Sequence, residues 1–185
     1  MFGVRKPRKS EAGITLVETM MAAAVLVIGS LSMIGMIIGS IASNNRNKID
    51  STQTMLTESM LEQINSTFVG SGDTTLVDCA GNSHAISTDV PVSGAAGSAL
   101  SGAAIDFTEA SPPAGYHMDY VLSTPCTDTG TLQGTYDVRW RIDAIGSGAT
   151  ATHSYLLTVS TQLKGHGEGN KFFSAPVTLR MMSGN

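Results

Sequence analysis

The chain has 185 residues, of which 42% are apolar and 14% are charged, and its formal net charge is −4. This length favours one domain with room for an additional segment. The weakly acidic balance excludes a basic nucleic-acid-binding domain and a charge-rich disordered chain, and two cysteines are too few for a disulfide-dense scaffold.

The first 13 residues form a short basic segment. Arg5, Lys6, Arg8 and Lys9 are accompanied by one acidic residue, Glu11. A basic stretch before an apolar segment holds that end of a protein in the cytoplasm. We therefore expect a cytoplasmic N-terminus, with the rest of the chain crossing outward.

An uncharged apolar segment follows the basic one. No charged residue lies between Thr19 and Ala42, and Met, Ala, Val, Leu and Ile dominate. A helix of this length, about 36 Å, exceeds the bilayer hydrocarbon core of about 30 Å. We therefore expect one membrane-spanning helix over residues 14–42, followed by an exported domain.

The junction between the basic and apolar segments has a restrictive order of residues. The letters GITLVE at residues 13–18 resemble the prepilin signature of type IV pilins and type II secretion pseudopilins. The resemblance implies that a prepilin peptidase cuts after Gly13 and methylates the new N-terminal amine of Ile14. It also implies that Glu18, the fifth mature residue, acts in processing and assembly.

The acidic residue within the apolar run needs a physical explanation. A carboxylate at the centre of a membrane helix costs about 2.5–3.5 kcal/mol, so it requires a partner or a shallow position. In pilins the N-terminal amine of a neighbouring subunit pairs with the residue equivalent to Glu18, and this pairing sets the stagger of subunits. Alternatively, Glu18 lies in the headgroup zone, favoured by the positive end of the helix dipole.

The resemblance extends along the helix. Residues 25–29 (VLVIG), Arg46 and residues 56–64 (LTESMLEQI) are similar to PilV-type minor pilins. Major pilins often carry a proline in the membrane segment, whereas none lies between Ile14 and Phe68 here, which favours a minor subunit. The implied partners are the prepilin peptidase/methyltransferase, other pilins or pseudopilins and the inner membrane; no cofactor is implied. After removal of residues 1–13 the charge is −7, so we expect no nucleic-acid partner.

The helix is predicted to continue as an amphipathic half over residues 43–69. Mostly apolar residues recur at spacings of three and four and form a stripe along one face, and Glu58 and Glu62 lie outside this stripe. The sequence Gly70-Ser71-Gly72 is expected to end the helix. The stripe consists of Ile49, Gln53, Leu56, Met60, Ile64 and Phe68.

Residues 70–185 are predicted to form the exported head domain. Residues 70–115 show few clear strands, and Ser93 to Ser101 reads as loop. Alternation predicts strands at residues 136–143, 155–163 and 173–181, joined by short connections in an antiparallel meander. The helix stripe would cover the apolar face of this sheet, which gives an α+β fold.

The first predicted strand carries charges on its outer face. Its apolar residues from Tyr136 to Ile142 point inward, while Arg139 and Arg141 alternate with two aspartates. We expect the outer face to be solvated and salt-bridged. In the third predicted strand, Phe173 would point inward, and Pro176 would point outward and favours an edge or a bulge.

The two cysteines lie in the exported region. An oxidising periplasm favours a bond between Cys79 and Cys126, which would contribute about 4 kcal/mol in the chain-entropy model. Two free buried thiols are the alternative. The four histidines show no ligand spacing, and no nucleophile elbow, phosphate-binding loop or Cys-x-x-Cys motif is present, so we predict neither a metal site nor an enzyme.

Three rival functions remain open from sequence alone; one of them, a pilus-tip adhesin or DNA receptor, needs a binding patch in residues 70–130 that the sequence does not show. A minor pseudopilin of type II secretion would carry the same N-terminal motif. A membrane-anchored or secreted β-domain that binds a ligand or surface belongs to a different class and predicts no cut after Gly13. An ordinary secretory signal would be cut near residues 40–42 and leave Ser43 as the first residue.

Overall fold

The computed structural model describes residues 14–67, 72–91, 94–145, 154–165 and 175–184. The chain divides into two compact units, Met1–Asn45 and Arg46–Asn185. Several predictions lie outside the described residues: the leader segment with Gly13, the end of the stripe at Phe68, Gly70 and Ser71 after the helix, and Phe173.

One helix and nine strands make up the described secondary structure. The helix α1 spans Leu16–Ser66, so it ends before the predicted residue 69. In chain order the strands are β1 (Asp73–Val77), β2 (Ser83–Ser87), β3 (Ala95–Gly97), β4 (Leu100–Ser101), β5 (Ala104–Ile105), β6 (His117–Thr124), β7 (Thr131–Ile145), β8 (Ser154–Gly165) and β9 (Val177–Gly184).

The main sheet is antiparallel throughout and has five strands. Strands β6, β7, β8 and β9 pair in succession, so the predicted meander is confirmed and gains a further strand at its start. Strand β3 also pairs with β7, beyond the end of β6. Strand β9 lies at an edge and begins directly after Pro176, because proline lacks the N–H that a paired interior position needs.

The second half of α1 covers the apolar face of the sheet. Leu56, Met60 and Ile64 are buried, whereas Glu58 and Glu62 remain exposed, so the described part of the predicted stripe is confirmed. Each buried apolar side chain of this size contributes about 1.5–3 kcal/mol. Their sheet partners in the core are Tyr136, Val138, Trp140, Ile142, Leu157 and Val159. The α+β fold is therefore confirmed.

The prediction of a loop at Ser93 to Ser101 was wrong. Strand β3 pairs antiparallel with β7, with Gly97 opposite Arg141. Gly97 has φ +112°, and a Cβ atom there would lie 2.4 Å from the carbonyl oxygen of Trp140. Only glycine permits this close approach, and a strand of small residues carries no apolar alternation from which it could be predicted.

Candidate functional site: the N-terminal apolar helix

The first unit presents an apolar surface along its whole described length. Every large apolar side chain from Ile14 to Ile41 is more than half exposed, and no side chain in this stretch is buried. The helix is long and apolar enough to span a bilayer. Exposed apolar surface of this extent is typical of segments that contact a membrane or another protein chain.

The helix begins with a side-chain cap. The backbone N–H of Glu18 donates to the hydroxyl oxygen of Thr15 at 3.3 Å and to the carbonyl oxygen of Thr15 at 3.0 Å. Thr15 is therefore the N-cap residue and Leu16 the first helical residue. The pattern Thr-x-x-Glu before an apolar run signals such a cap, and the sequence reading above did not use it.

The carboxylate of Glu18 is exposed in the first helical turn. Within the described residues it has no ion-pair or hydrogen-bond partner. Ile14 lies four residues earlier, outside the helix, with 75% of its surface exposed. The site thus presents one negative charge, at the positive end of a helix dipole, on an otherwise apolar surface.

Three glycines interrupt the apolar surface of the same helix. A Cβ atom added at Gly29, Gly35 or Gly39 would meet no atom within 4 Å. Small residues at such positions let the backbone of a neighbouring helix approach closely in a membrane. These glycines therefore leave room on the apolar surface for the backbone of a neighbouring helix.

In the second unit, the predicted pairing of Cys79 with Cys126 is present. Cys79 follows β1, and Cys126 lies in the connection between β6 and β7. The bond therefore joins the hairpin of β1 and β2 to the main sheet. It links two segments that are 47 positions apart in the chain.

A buried carboxylate stands beside this disulfide. The side chain of Asp78 is fully buried and accepts hydrogen bonds from the backbone N–H groups of Ala80 and Asn82, at 2.9 and 2.8 Å. The Asn82 side chain, His84 and the backbone N–H of Val121 complete its shell at 2.9, 3.2 and 3.2 Å. Burial acts to raise the pKa of Asp78, but these hydrogen bonds outweigh it and hold the pKa below its usual value.

The expectation that Arg139 lies on a solvated face was wrong. Arg139 is buried, because the segment that follows β5 covers the outer face of the sheet at this point. Its guanidinium donates to the Asp137 carboxylate at 2.8 and 3.1 Å and to the carbonyl oxygens of Asp106 and Glu109, both at 3.1 Å. It also stacks 5.0 Å from the ring centre of Phe107. The predicted salt bridge is confirmed, but its solvation is not.

An open polar cleft of about 630 Å³ lies beside Arg139. Its cations are already paired, Arg139 with Asp137 and Lys164 with Asp119 at 2.7 Å. His84 and His117 also line it, and no group of three potential metal ligands occurs among the described residues. The lining charges are thus satisfied within the fold, which is the arrangement expected of a structural surface.

The structure brings the predicted site residues into two groups. Ile14 lies two residues before α1 and Glu18 in its first turn, and the two cysteines are bonded in the second unit. Gly13 lies outside the described residues. Sequence reasoning missed Thr15, which had a recognisable capping pattern, and Asp78, whose hydrogen-bond shell depends on a distant strand.

Comparisons with family models, with curated proteins and with solved structures found no match to this chain.

Proposed function

We propose that this chain is a minor subunit of a type IV pilus, of the PilV type. A prepilin peptidase cuts after Gly13, and Ile14 becomes the methylated N-terminal residue. The mature subunit stays in the inner membrane through its apolar helix, with the head domain in the periplasm. It then enters a pilus through that helix and helps to prime or decorate the fibre.

The observation that carries this proposal is the isolated carboxylate of Glu18. It lies on the exposed apolar part of α1, four residues after the position where cleavage would create a positively charged amine. An unpaired charge surrounded by apolar helices is strongly disfavoured, so packing would favour the subunit registers that pair it. The exposed glycines support close packing of these helices.

The head domain supports an assembly role over a catalytic one. Two cations that line the cleft, Arg139 and Lys164, are paired with Asp137 and Asp119, and the buried carboxylate of Asp78 accepts hydrogen bonds on both of its oxygens. A catalytic group needs a side chain left poised for a substrate. The proposal therefore assigns this chain no enzymatic activity.

The test compares two glutamates on the same helix. Glu18→Ala removes the proposed pairing charge, and Glu58→Ala removes an exposed charge from the second unit. We expect both variants to reach the membrane in normal amounts, because the basic leader and the uncharged run from Thr19 to Ala42 are unchanged. Glu18→Ala should be depleted from sheared fibres at least ten-fold relative to membranes, while Glu58→Ala should match the wild type.

Three results would point elsewhere. Wild-type fibre content in Glu18→Ala would remove the basis for the pairing mechanism. Incorporation of the wild type into a secretion pseudopilus, with no pilus association, would identify a minor pseudopilin. A wild-type chain that enters no fibre would favour a membrane-anchored or secreted β-domain that binds a ligand or surface.

A further inference from the structure

The two cysteines of the disulfide have different surroundings. Cys79 is buried, with 7% of its surface exposed. Cys126 is exposed, as are all residues from 124 to 129 around it, where β6 ends and its connection to β7 begins. The Sγ atom of Cys79 also lies 3.4 Å from the carbonyl oxygen of Ser123, in β6. A molecule that approaches from solvent therefore meets the Cys126 end of the bond first.

We propose that Cys126 is the exchange site of this disulfide, the sulfur to which an external thiolate adds in the folded head domain. The thiolate sulfur forms a bond to the Sγ atom of Cys126 while the bond between Cys126 and Cys79 breaks. The electron pair of the broken bond goes to the Sγ atom of Cys79, which takes up a proton. The incoming sulfur is thus oxidised, Cys79 is reduced, and Cys126 carries a mixed disulfide. This reaction does not depend on cleavage after Gly13.

Access decides which of the two sulfurs reacts. Attack on Cys79 requires the thiolate to reach a buried residue, so the hairpin of β1 and β2 would first have to open. Attack on Cys126 requires no opening, because the residues around it are exposed. The folded protein therefore directs the incoming thiolate to Cys126.

The leaving sulfur slows the reaction without changing its site. Cys79 would leave as an anion beside the carbonyl oxygen of Ser123, directly after the buried carboxylate of Asp78 in the chain. A buried position with negatively polarised neighbours disfavours a further negative charge, and a thiolate that is costly to form leaves slowly. We therefore expect the disulfide to resist small thiols, and to open at Cys126 when it does react.

The hairpin has contacts to β6 that do not depend on the disulfide. The carboxylate of Asp78 accepts from the backbone N–H of Val121 at 3.2 Å, and the hydroxyl of Ser123 donates to the carbonyl oxygen of Cys79 at 3.4 Å. These bonds keep Cys79 buried after the disulfide opens, as a neutral thiol whose S–H faces the carbonyl oxygen of Ser123. A buried neutral thiol is a poor nucleophile, so the mixed disulfide on Cys126 persists long enough to be isolated.

The first experiment treats the full-length protein in detergent micelles with reduced glutathione. The reaction is stopped with acid at low conversion, free thiols are blocked with a maleimide, and the modified peptides are identified by mass. We expect glutathione on Cys126 at least about ten-fold more often than on Cys79 in the folded protein. The same reaction in denaturant should label the two cysteines within about three-fold of each other, because both are then accessible.

Two single-cysteine variants form a matched pair that lacks the disulfide. Cys79→Ser leaves the thiol of Cys126, and Cys126→Ser leaves the thiol of Cys79. We expect the folded Cys79→Ser variant to react with a maleimide at least about ten-fold faster than folded Cys126→Ser, and the two rates to agree in denaturant.

Four results would overturn the proposal. The first two are an equal distribution of glutathione over both cysteines of the folded protein and a preference for Cys79. The third is equal maleimide rates in the two folded variants. The fourth is the absence of any adduct on the folded protein after prolonged treatment at a glutathione concentration that labels the denatured protein.

Discussion

The carboxylate of Asp78 accepts a hydrogen bond from the backbone N–H of Val121 at 3.2 Å, although the two residues are 43 positions apart. Asp78 follows β1, and Val121 lies in β6. The bond therefore ties the β1–β2 hairpin to the main sheet beside the disulfide. The same carboxylate also closes the turn of the hairpin through Ala80 and Asn82.

Replacement of this carboxylate should be costly. Asp78→Asn keeps the size of the side chain but turns one acceptor into a donor that faces other donors. We expect a loss of about 2–4 kcal/mol in the free energy of unfolding, because buried donors lose their acceptor. The measurement is denaturant unfolding of the full-length protein in detergent micelles.

Asp106→Asn is the matched control for this variant. Its side chain is only partly buried, and its carboxylate accepts two hydrogen bonds from Thr108. We expect a change within about 0.5 kcal/mol, as for most exposed surface sites. Equal losses of unfolding free energy in the two variants would mean that the buried hydrogen bonds of Asp78 contribute no more to stability than those of Asp106.

Acidification should reproduce the effect of Asp78→Asn. The pKa of Asp78 lies below its usual value in the folded state, so its contribution to stability is fully present above the unfolded pKa of about 3.9. That contribution is lost as the pH falls through the lower, folded pKa. The difference between the unfolding curves of wild type and Asp78→Asn should therefore be full at pH 6 and shrink as the pH falls below the unfolded pKa of about 3.9. A constant difference across this range would contradict the assignment.

The burial of Arg139 predicts a large difference between two neighbouring arginines. Arg139→Lys replaces a planar group that makes bonds to Asp137 and to two carbonyl oxygens, and an ammonium group cannot match that geometry. We expect a loss of about 2–4 kcal/mol in unfolding free energy.

Arg141→Lys tests the same change on a more exposed side chain. Arg141 pairs with Asp143 at 2.8 Å, and both side chains are about a quarter exposed. We expect a loss below about 1 kcal/mol. If the two arginine variants lost equal free energy of unfolding, the segment after β5 would not bury Arg139 in solution.

The disulfide should contribute strongly to the stability of the head domain. Cys79→Ser with Cys126→Ser removes a crosslink between residues 47 positions apart. Loss of this constraint on the unfolded chain predicts a decrease of about 4 kcal/mol in unfolding free energy. Reductant should shift the unfolding midpoint of the wild type and leave that of the double variant unchanged. An unfolding midpoint of the wild type that does not change with reductant would contradict the prediction.

Strong periodic signals made part of the fold predictable. The spacing of Leu56, Met60 and Ile64 indicated the buried helix face, and the alternation around Trp140 indicated the central strand. Both signals reflect apolar burial, which the order of residues records directly. Strand β6 had a similar alternation, at Met118 and Tyr120, which the sequence reading did not use.

Features that depend on long-range contacts were not predictable in the same way. Strand β3 consists of two alanines and a glycine, and it forms because Gly97 fits against the backbone of Trp140. Alternation placed Arg139 correctly on the outer face of β7, but it could not reveal that the segment around Phe107 covers that face. The pattern of residues within one segment does not show which distant segment will pair with it or cover it.

The central claim is the processing of the N-terminus, and the most direct test is the intact mass of the protein from native membranes, with its N-terminal peptide sequenced. We predict a chain that begins at Ile14 and is heavier by one methyl group. A chain that begins at Ser43 would indicate an ordinary secreted domain, and one that begins at Met1 would indicate a plain membrane anchor. Either result would contradict the proposed assembly of this subunit through Ile14 and Glu18.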